Sequence, residues 1–201
     1  MIKIWLIGNW KYLIEELNNK NMSIKNLWSL NIDELLVADK LKDNFKKTNY
    51  EVFFPLNSQM KDIDLILLNL KNYYAKSIQV KGSRTYEPTK AEIERYGKGG
   101  AAWFRIDKDY IFKPKNRVDY YVFVLHCFSN GEHRKEIKIN YLVIPINQFR
   151  KICSKKTVRK GGYYHFFIWL DSDDKRAFDF NNKGQDVVFL SKYLNNWKLI
   201  K

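Results

Sequence analysis

Residues 62–81 constrain this chain more than any other stretch. DIDLILL (62–68) is followed eight residues later by SIQVKGSR (77–84), and both runs read as β-strands. In an extended strand successive side chains alternate faces, so Ile78 and Val80 bury on one side while Gln79 and Lys81 share the other. Asp64 lies among Ile63, Leu65, Ile66 and Leu67 and must be solvated, paired or metal-bound, because burying a bare charge is costly. If the linker Asn69 to Ala75 turns the chain back as a hairpin, a carboxylate, an amide and an ammonium meet on neighbouring strands.

A helix is expected upstream, from about Ile32 to Lys46, with Ile32, Leu35, Leu36, Ala38, Leu41 and Phe45 as its apolar stripe. Glu34 stacks with positions 38, 41 and 45 by i+4 and i+3 steps and so points toward the sheet. A first-turn acid is also favoured by the helix dipole, a role Asp33 fills equally well.

These residue types suit phosphodiester cleavage, which needs an activated water, a divalent ion to neutralise the phosphate and stabilisation of the leaving oxygen. Hard oxygen ligands suit Mg2+ or Mn2+: Asp64 as the bridging carboxylate, Gln79 or a neighbouring backbone carbonyl as an auxiliary ligand, and Glu34 for a second ion or a water of the first. Lys81 would orient the attacking water or help deprotonate it, a task for a compact ammonium on a flexible stem.

Glu34 on a helix, Asp64 followed by Leu65 and Ile66, and Gln79-Val80-Lys81 together resemble the PD-(D/E)XK nuclease superfamily over roughly residues 30–125. The likeness is greatest to stand-alone restriction-endonuclease-like and Holliday-junction-resolvase-like members. It implies an α/β fold with a mixed central sheet flanked by helices, a restriction-endonuclease-like core, and a magnesium-dependent endonuclease (a hydrolase) acting on duplex or branched DNA. It also implies a homodimer in which two sites cut two strands. Ile63 replaces the usual proline, and Gln79 replaces the usual acid, which removes one negative charge from the site. A Gln-x-Lys form is found in some active members, including the endonuclease subunit of certain transposition systems.

Strands are further expected at 50–54, 118–128, 136–146 and 162–170, with a tight turn at Asn130-Gly131. TKAEIERYGKGGAAWF reads as a short helix followed by a flexible Gly97–Gly100 loop, and INQFRKIC as another short helix. Two short helices capped by Asn9 and Ser23 make residues 1–30 an N-terminal helical element packing on the α/β domain of 31–201.

Thirty-six basic against twenty-two acidic residues give a net charge of +14, which favours a polyanionic partner. Arg150, Lys151, Lys155, Lys156, Arg159 and Lys160 crowd into 150–162 without an acid and read as a mobile basic loop for DNA backbone contact. Lys113 with Lys115, and Ser83 with Arg84 just after Lys81, are further candidates for phosphate contact.

Cys127 and Cys153 lack metal or disulfide spacing, and His126, His133 and His165 form no zinc set. Nothing resembles a signal peptide or a membrane span, so a cytoplasmic protein without membrane contact is expected. No Walker A loop, GxGxxG or Ser/His/Asp set is present. The competing expectation is a non-catalytic nucleic-acid-binding protein with a degenerate nuclease fold, or a regulatory interaction subunit.

Overall fold

The computed structural model describes residues 31–55, 62–113, 117–130, 135–180 and 187–200. Within them the chain runs α1 (Ile32–Phe45), β1 (Tyr50–Phe53), β2 (Leu65–Asn69), β3 (Ala75–Gly82), β4 (Arg84–Tyr86), α2 (Lys90–Tyr96), β5 (Gly99–Asp107) and α3 (Lys108–Phe112). It continues through β6 (Tyr120–Asn130), β7 (Lys135–Pro145), α4 (Ile146–Ser154), β8 (Tyr163–Asp171), β9 (Ala177–Asp179) and β10 (Val188–Phe189). The expected N-terminal element at 1–30, the Gly131 end of the turn after β6, and His133 lie outside the described residues.

The fold is mixed α/β with two five-stranded sheets. The first has the order β1-β2-β3-β6-β7 and is antiparallel except where β3 runs parallel to β6. The second, β10-β9-β8-β5-β4, is wholly antiparallel. A parallel pair requires a crossover, and here it passes from β3 through β4, α2, β5 and α3, so the second sheet is entered between two neighbours of the first.

Val37 and Leu41 of α1 pack with Leu65, Leu67, Ile78, Val80 and Val122 on one face of the mixed sheet. Full burial of such side chains stabilises by roughly 1.5–3 kcal/mol each, so the strand alternation read from the sequence is also what holds α1 in place. Helices on both faces were expected, but the opposite face meets the second sheet, with α4 wedged alongside. Phe123 lies 5.1 Å from Phe104 of β5 and 5.1 Å from Phe149 of α4. The cause is the alternation in β5 and β8, where Ala102, Phe104, Ile106, Tyr164, Phe166 and Ile168 all point inward.

Two local expectations are corrected. Ile32 and Leu35 are 69% and 43% exposed, so of the expected stripe Leu36, Ala38, Leu41 and Phe45 face the sheet, joined by the fully buried Val37. Gly99 and Gly100 begin β5 rather than a loop; Gly97 alone takes φ +87°, closing α2. A Cβ on Gly100 would sit 2.7 Å from Cys127 Cβ and 2.8 Å from the Phe128 carbonyl, so glycine there permits β5 to approach β6. Among the described residues no helix is long and apolar enough to cross a membrane.

Candidate active site

The β2–β3 hairpin forms as the alternation requires, with Leu65 opposite Ile78 and the turn closed by Asn69 N–H donating to the Tyr74 carbonyl (2.9 Å). The ladder stops just before Leu65. Asp64 N–H still donates to the Ile78 carbonyl (2.9 Å), but Val80 N–H donates to Asp64 Oδ2 (2.7 Å) instead of to a backbone oxygen. The carboxylate thus takes the place of a ladder acceptor where β2 parts from β3. Gln79 Nε2 also donates to Oδ2, at 2.5 Å. Since a carboxylate only accepts, the Gln79 amide nitrogen must face it and the amide oxygen points elsewhere. Asp64 Oδ1 receives no donor among the described residues.

The first turn of α1 is fastened to the far end of β3. Asn31 caps the helix, its side chain accepting from Asp33 N–H (3.1 Å). Asp33 Oδ1 accepts from His126 Nε2 of β6 (2.6 Å). A Cβ on Gly82 would fall 1.8 Å from Asp33 Oδ2, so the absence of a side chain at Gly82 lets α1 sit this close. Glu34, one residue on, is half-buried and held within electrostatic reach of Asp64 and Lys81. Ser83 helps to build the fold: its Oγ accepts from His126 N–H (2.8 Å) and its N–H donates to the Val124 carbonyl (3.0 Å), joining the end of β3 to β6.

The three charges are poised against their surroundings. Burial lifts the Glu34 carboxyl above its ordinary value, and the Asp64 charge lifts it further against the pull of Lys81. Burial likewise raises Asp64, opposed by the Val80 N–H, Lys81 and the Gln79 amide. Lys81 is held below the usual lysine range by burial, while Asp64, Asp62 and Glu34 support its charge. Two carboxylates raised and a lysine lowered at one place is the pattern by which sites are set for chemistry near neutral pH.

Asp62 belongs to this group although its position alone did not mark it as a site residue. Its charge acts on both Asp64 and Lys81. Its Oδ1 is enclosed with no hydrogen-bond partner among the described residues, while Oδ2 lies 3.6 Å from Lys113 Nζ. Its place two residues before Asp64, on the same side of an extended chain, was the available signal.

The donors here are hard oxygens, the type that a divalent ion keeping much of its water takes. Asp64 Oδ1, Glu34 and the enclosed Asp62 Oδ1 are oxygen donors with uncommitted capacity, although among the described residues no three His, Cys, Asp or Glu side chains converge closely enough to hold an ion by themselves. Gln79 would contribute only through its amide oxygen, and its clearest role here is to orient Asp64.

The basic segment at 150–162 is built differently from the expected acid-free loop. Arg150 and Lys151 lie on α4, where Arg150 Nε donates to the Ile111 carbonyl of α3 (3.0 Å). Residues 159–163 form a turn closed by Arg159 N–H to the Tyr163 carbonyl (2.8 Å). Lys156 is only 8% exposed, and its ammonium is paired with Asp179 of β9 and set over the Phe166 ring, which removes it from any phosphate-contacting surface. Lys151, Lys155 and Lys160 are exposed, as is Arg84, stacked 5.1 Å above Trp103. Lys115 lies outside the described residues.

No protein-family model, no curated protein and no solved structure matches this chain.

Proposed function

We propose that this chain is a divalent-metal-dependent DNA endonuclease. The observation carrying the reading is that Glu34, Asp64 and Lys81, drawn from a helix and the two sides of a hairpin, shift one another's pKa values beside the effect of burial, with the Asp62 charge acting on Asp64 and Lys81. A helix, a three-stranded antiparallel meander and a fourth strand parallel to β3, in that order, support a restriction-endonuclease-like core.

A bound Mg2+ or Mn2+ would neutralise the phosphate and acidify an attacking water. Asp64 would be its main protein ligand, with Glu34 and Asp62 reaching it through bound waters. Gln79 and the Val80 N–H keep Asp64 Oδ2 occupied, which leaves Oδ1 for the ion. Lys81, whose neutral amine is favoured by burial, would orient the water and accept its proton as the water oxygen bonds to phosphorus and the P–O bond to the leaving group breaks, the leaving oxygen taking a proton from solvent.

The test is incubation of supercoiled, linear and four-way-junction DNA with Mg2+ or Mn2+, beside Asp64→Ala and Lys81→Ala. Cleavage by the wild type alone is the expected result; equal inertness of all three proteins on every substrate ends the proposal. The neutral Gln79 supports a second reading, a binding protein without catalysis, and metal-independent DNA binding with no cleavage would favour it.

A further inference from the structure

We propose that the half of the second sheet's outer face that the described residues leave uncovered is a stacking platform for unpaired nucleotides. Joined to the nuclease reading, on which this last step rests, it makes the substrate a DNA with a single-stranded stretch beside the scissile bond.

Directly paired residues of an antiparallel sheet point to the same face. The register therefore aligns Arg84, Trp103 and Phe167 in one row across β4, β5 and β8, and Arg105 with His165 in the next. The adjoining half of this face is closed by α2, whose Tyr96 ring lies 5.5 Å from Trp169, 5.4 Å from Phe178 and 5.0 Å from Phe180. The half bearing Trp103 has no such cover among the described residues: Trp103, Tyr163, His165 and Phe167 are half-buried, and Arg84 and Arg105 are exposed.

The chemistry of this half selects its occupant. Arg105 lies 4.4 Å above Tyr163 and Arg84 5.1 Å above Trp103, while Trp103 stands 5.6 Å from His165 and 6.2 Å from Phe167. Aromatic faces interleaved with guanidinium groups match a ligand that alternates flat bases with phosphates. Burial, and then the charges of Arg159, Arg105 and Lys156, hold His165 below the ordinary histidine range, which sets cationic groups beside the exposed Arg84 and Arg105 of this patch. A neutral protein surface would gain nothing from those charges, and a duplex keeps its bases stacked inside and would leave the rings unused.

Three strands at ~4.8 Å spacing give a platform roughly 10 Å across, room for two or three bases. β3 passes through Ser83 directly into β4, so Arg84 follows Lys81 by three residues and the platform begins where the candidate active site ends.

The experiment uses the full chain in EDTA, with anisotropy of labelled 20-nucleotide oligo-dT and of a 20-base-pair duplex. Trp103→Ala should weaken oligo-dT binding by about fivefold or more, the lower end of what stacking one base contributes. Arg84→Ala/Arg105→Ala, at two exposed positions, should weaken it further, with a much smaller change for the duplex. Unchanged oligo-dT binding in folded variants, equal losses on both DNAs, or a wild type that does not bind oligo-dT overturns the platform. Should Trp103→Ala not fold, as judged by circular dichroism, the arginine pair decides alone. Oligo-dT binding that behaves as expected in a protein that cuts nothing with Mg2+ or Mn2+ leaves the platform standing and defeats only the nuclease reading.

Discussion

Asp33 Oδ1 sits 2.6 Å from His126 Nε2, and this contact joins the first turn of α1 to β6 across the end of β3. Gly82 lies beneath it, where an added Cβ would fall 1.8 Å from Asp33 Oδ2. Helix position, and hence the place of Glu34 beside Asp64 and Lys81, depends on a pair and a glycine that themselves have no part in the proposed chemistry.

Gly82→Ala should therefore cost about 1–3 kcal/mol, the usual range for overpacking. In an Asp33→Ala background the clash is gone, and the same change should cost clearly less. Urea denaturation of the four proteins in the cycle measures the coupling. If the two substitutions simply add, the helix does not rest on Gly82 in the way described.

A second expectation concerns the charge on Asp64. Its folded-state pKa lies above the ordinary 3.8, so the stability it contributes is complete below 3.8 and is lost as pH rises through the raised value. Near neutrality the ionised carboxylate is a liability to the fold. Asp64→Asn retains an oxygen to accept from Val80 N–H and Gln79 and should raise Tm by roughly 2–6 °C at pH 7, while abolishing any cleavage. Melting curves from about pH 4 to 7 should show the wild type losing ground to the variant as pH rises. A variant of equal or lower Tm at pH 7 would mean that the Asp64 carboxylate is not strained in the fold.

A divalent ion should relieve the same strain. Mg2+ or Mn2+ at about 100 times its Kd should stabilise the wild type by about 2.7 kcal/mol through mass action, and much less in Asp64→Asn. Calorimetric titration beside melting curves in EDTA separates this from general ionic strength, for which NaCl at matched ionic strength is the control. A wild type indifferent to both ions contradicts the site as an ion site, whatever the DNA assays give.

The hairpin of Asp64, Gln79 and Lys81 was legible in the sequence because strand alternation is a local rule and the residues between the two runs suffice for a turn. Glu34 was legible through helical spacing, although the stripe extended to Ile32 and Leu35, which are exposed, and left out the buried Val37: periodicity cannot say where Asp33 will pin the helix. Asp62 was within sight, two residues from Asp64, but its value lies in an enclosed oxygen that only packing creates. The second sheet was the larger gap, because β5 and β8 pair across more than fifty residues and alternation shows that a strand has an inner face without showing what that face meets.

Lys155 and Lys156 make the last case sharply, being adjacent in a run that charge alone treats as uniform. Lys155 ends α4 in solvent, whereas Lys156 turns inward to Asp179, whose Oδ1 also accepts from Phe167 N–H (3.0 Å). Removing one partner of a buried pair leaves the other charge uncompensated, so Lys156→Ala should destabilise by about 3–5 kcal/mol. Lys155→Ala should stay within roughly 0.5 kcal/mol of the wild type. If Lys155 contacts a duplex phosphate, its loss should instead reduce the slope of log binding constant against log salt by about 0.9. Denaturation curves and a salt titration of duplex binding give the two numbers independently. A stable Lys156→Ala protein with a reduced salt slope would reverse the assignment and return Lys156 to the DNA-facing surface.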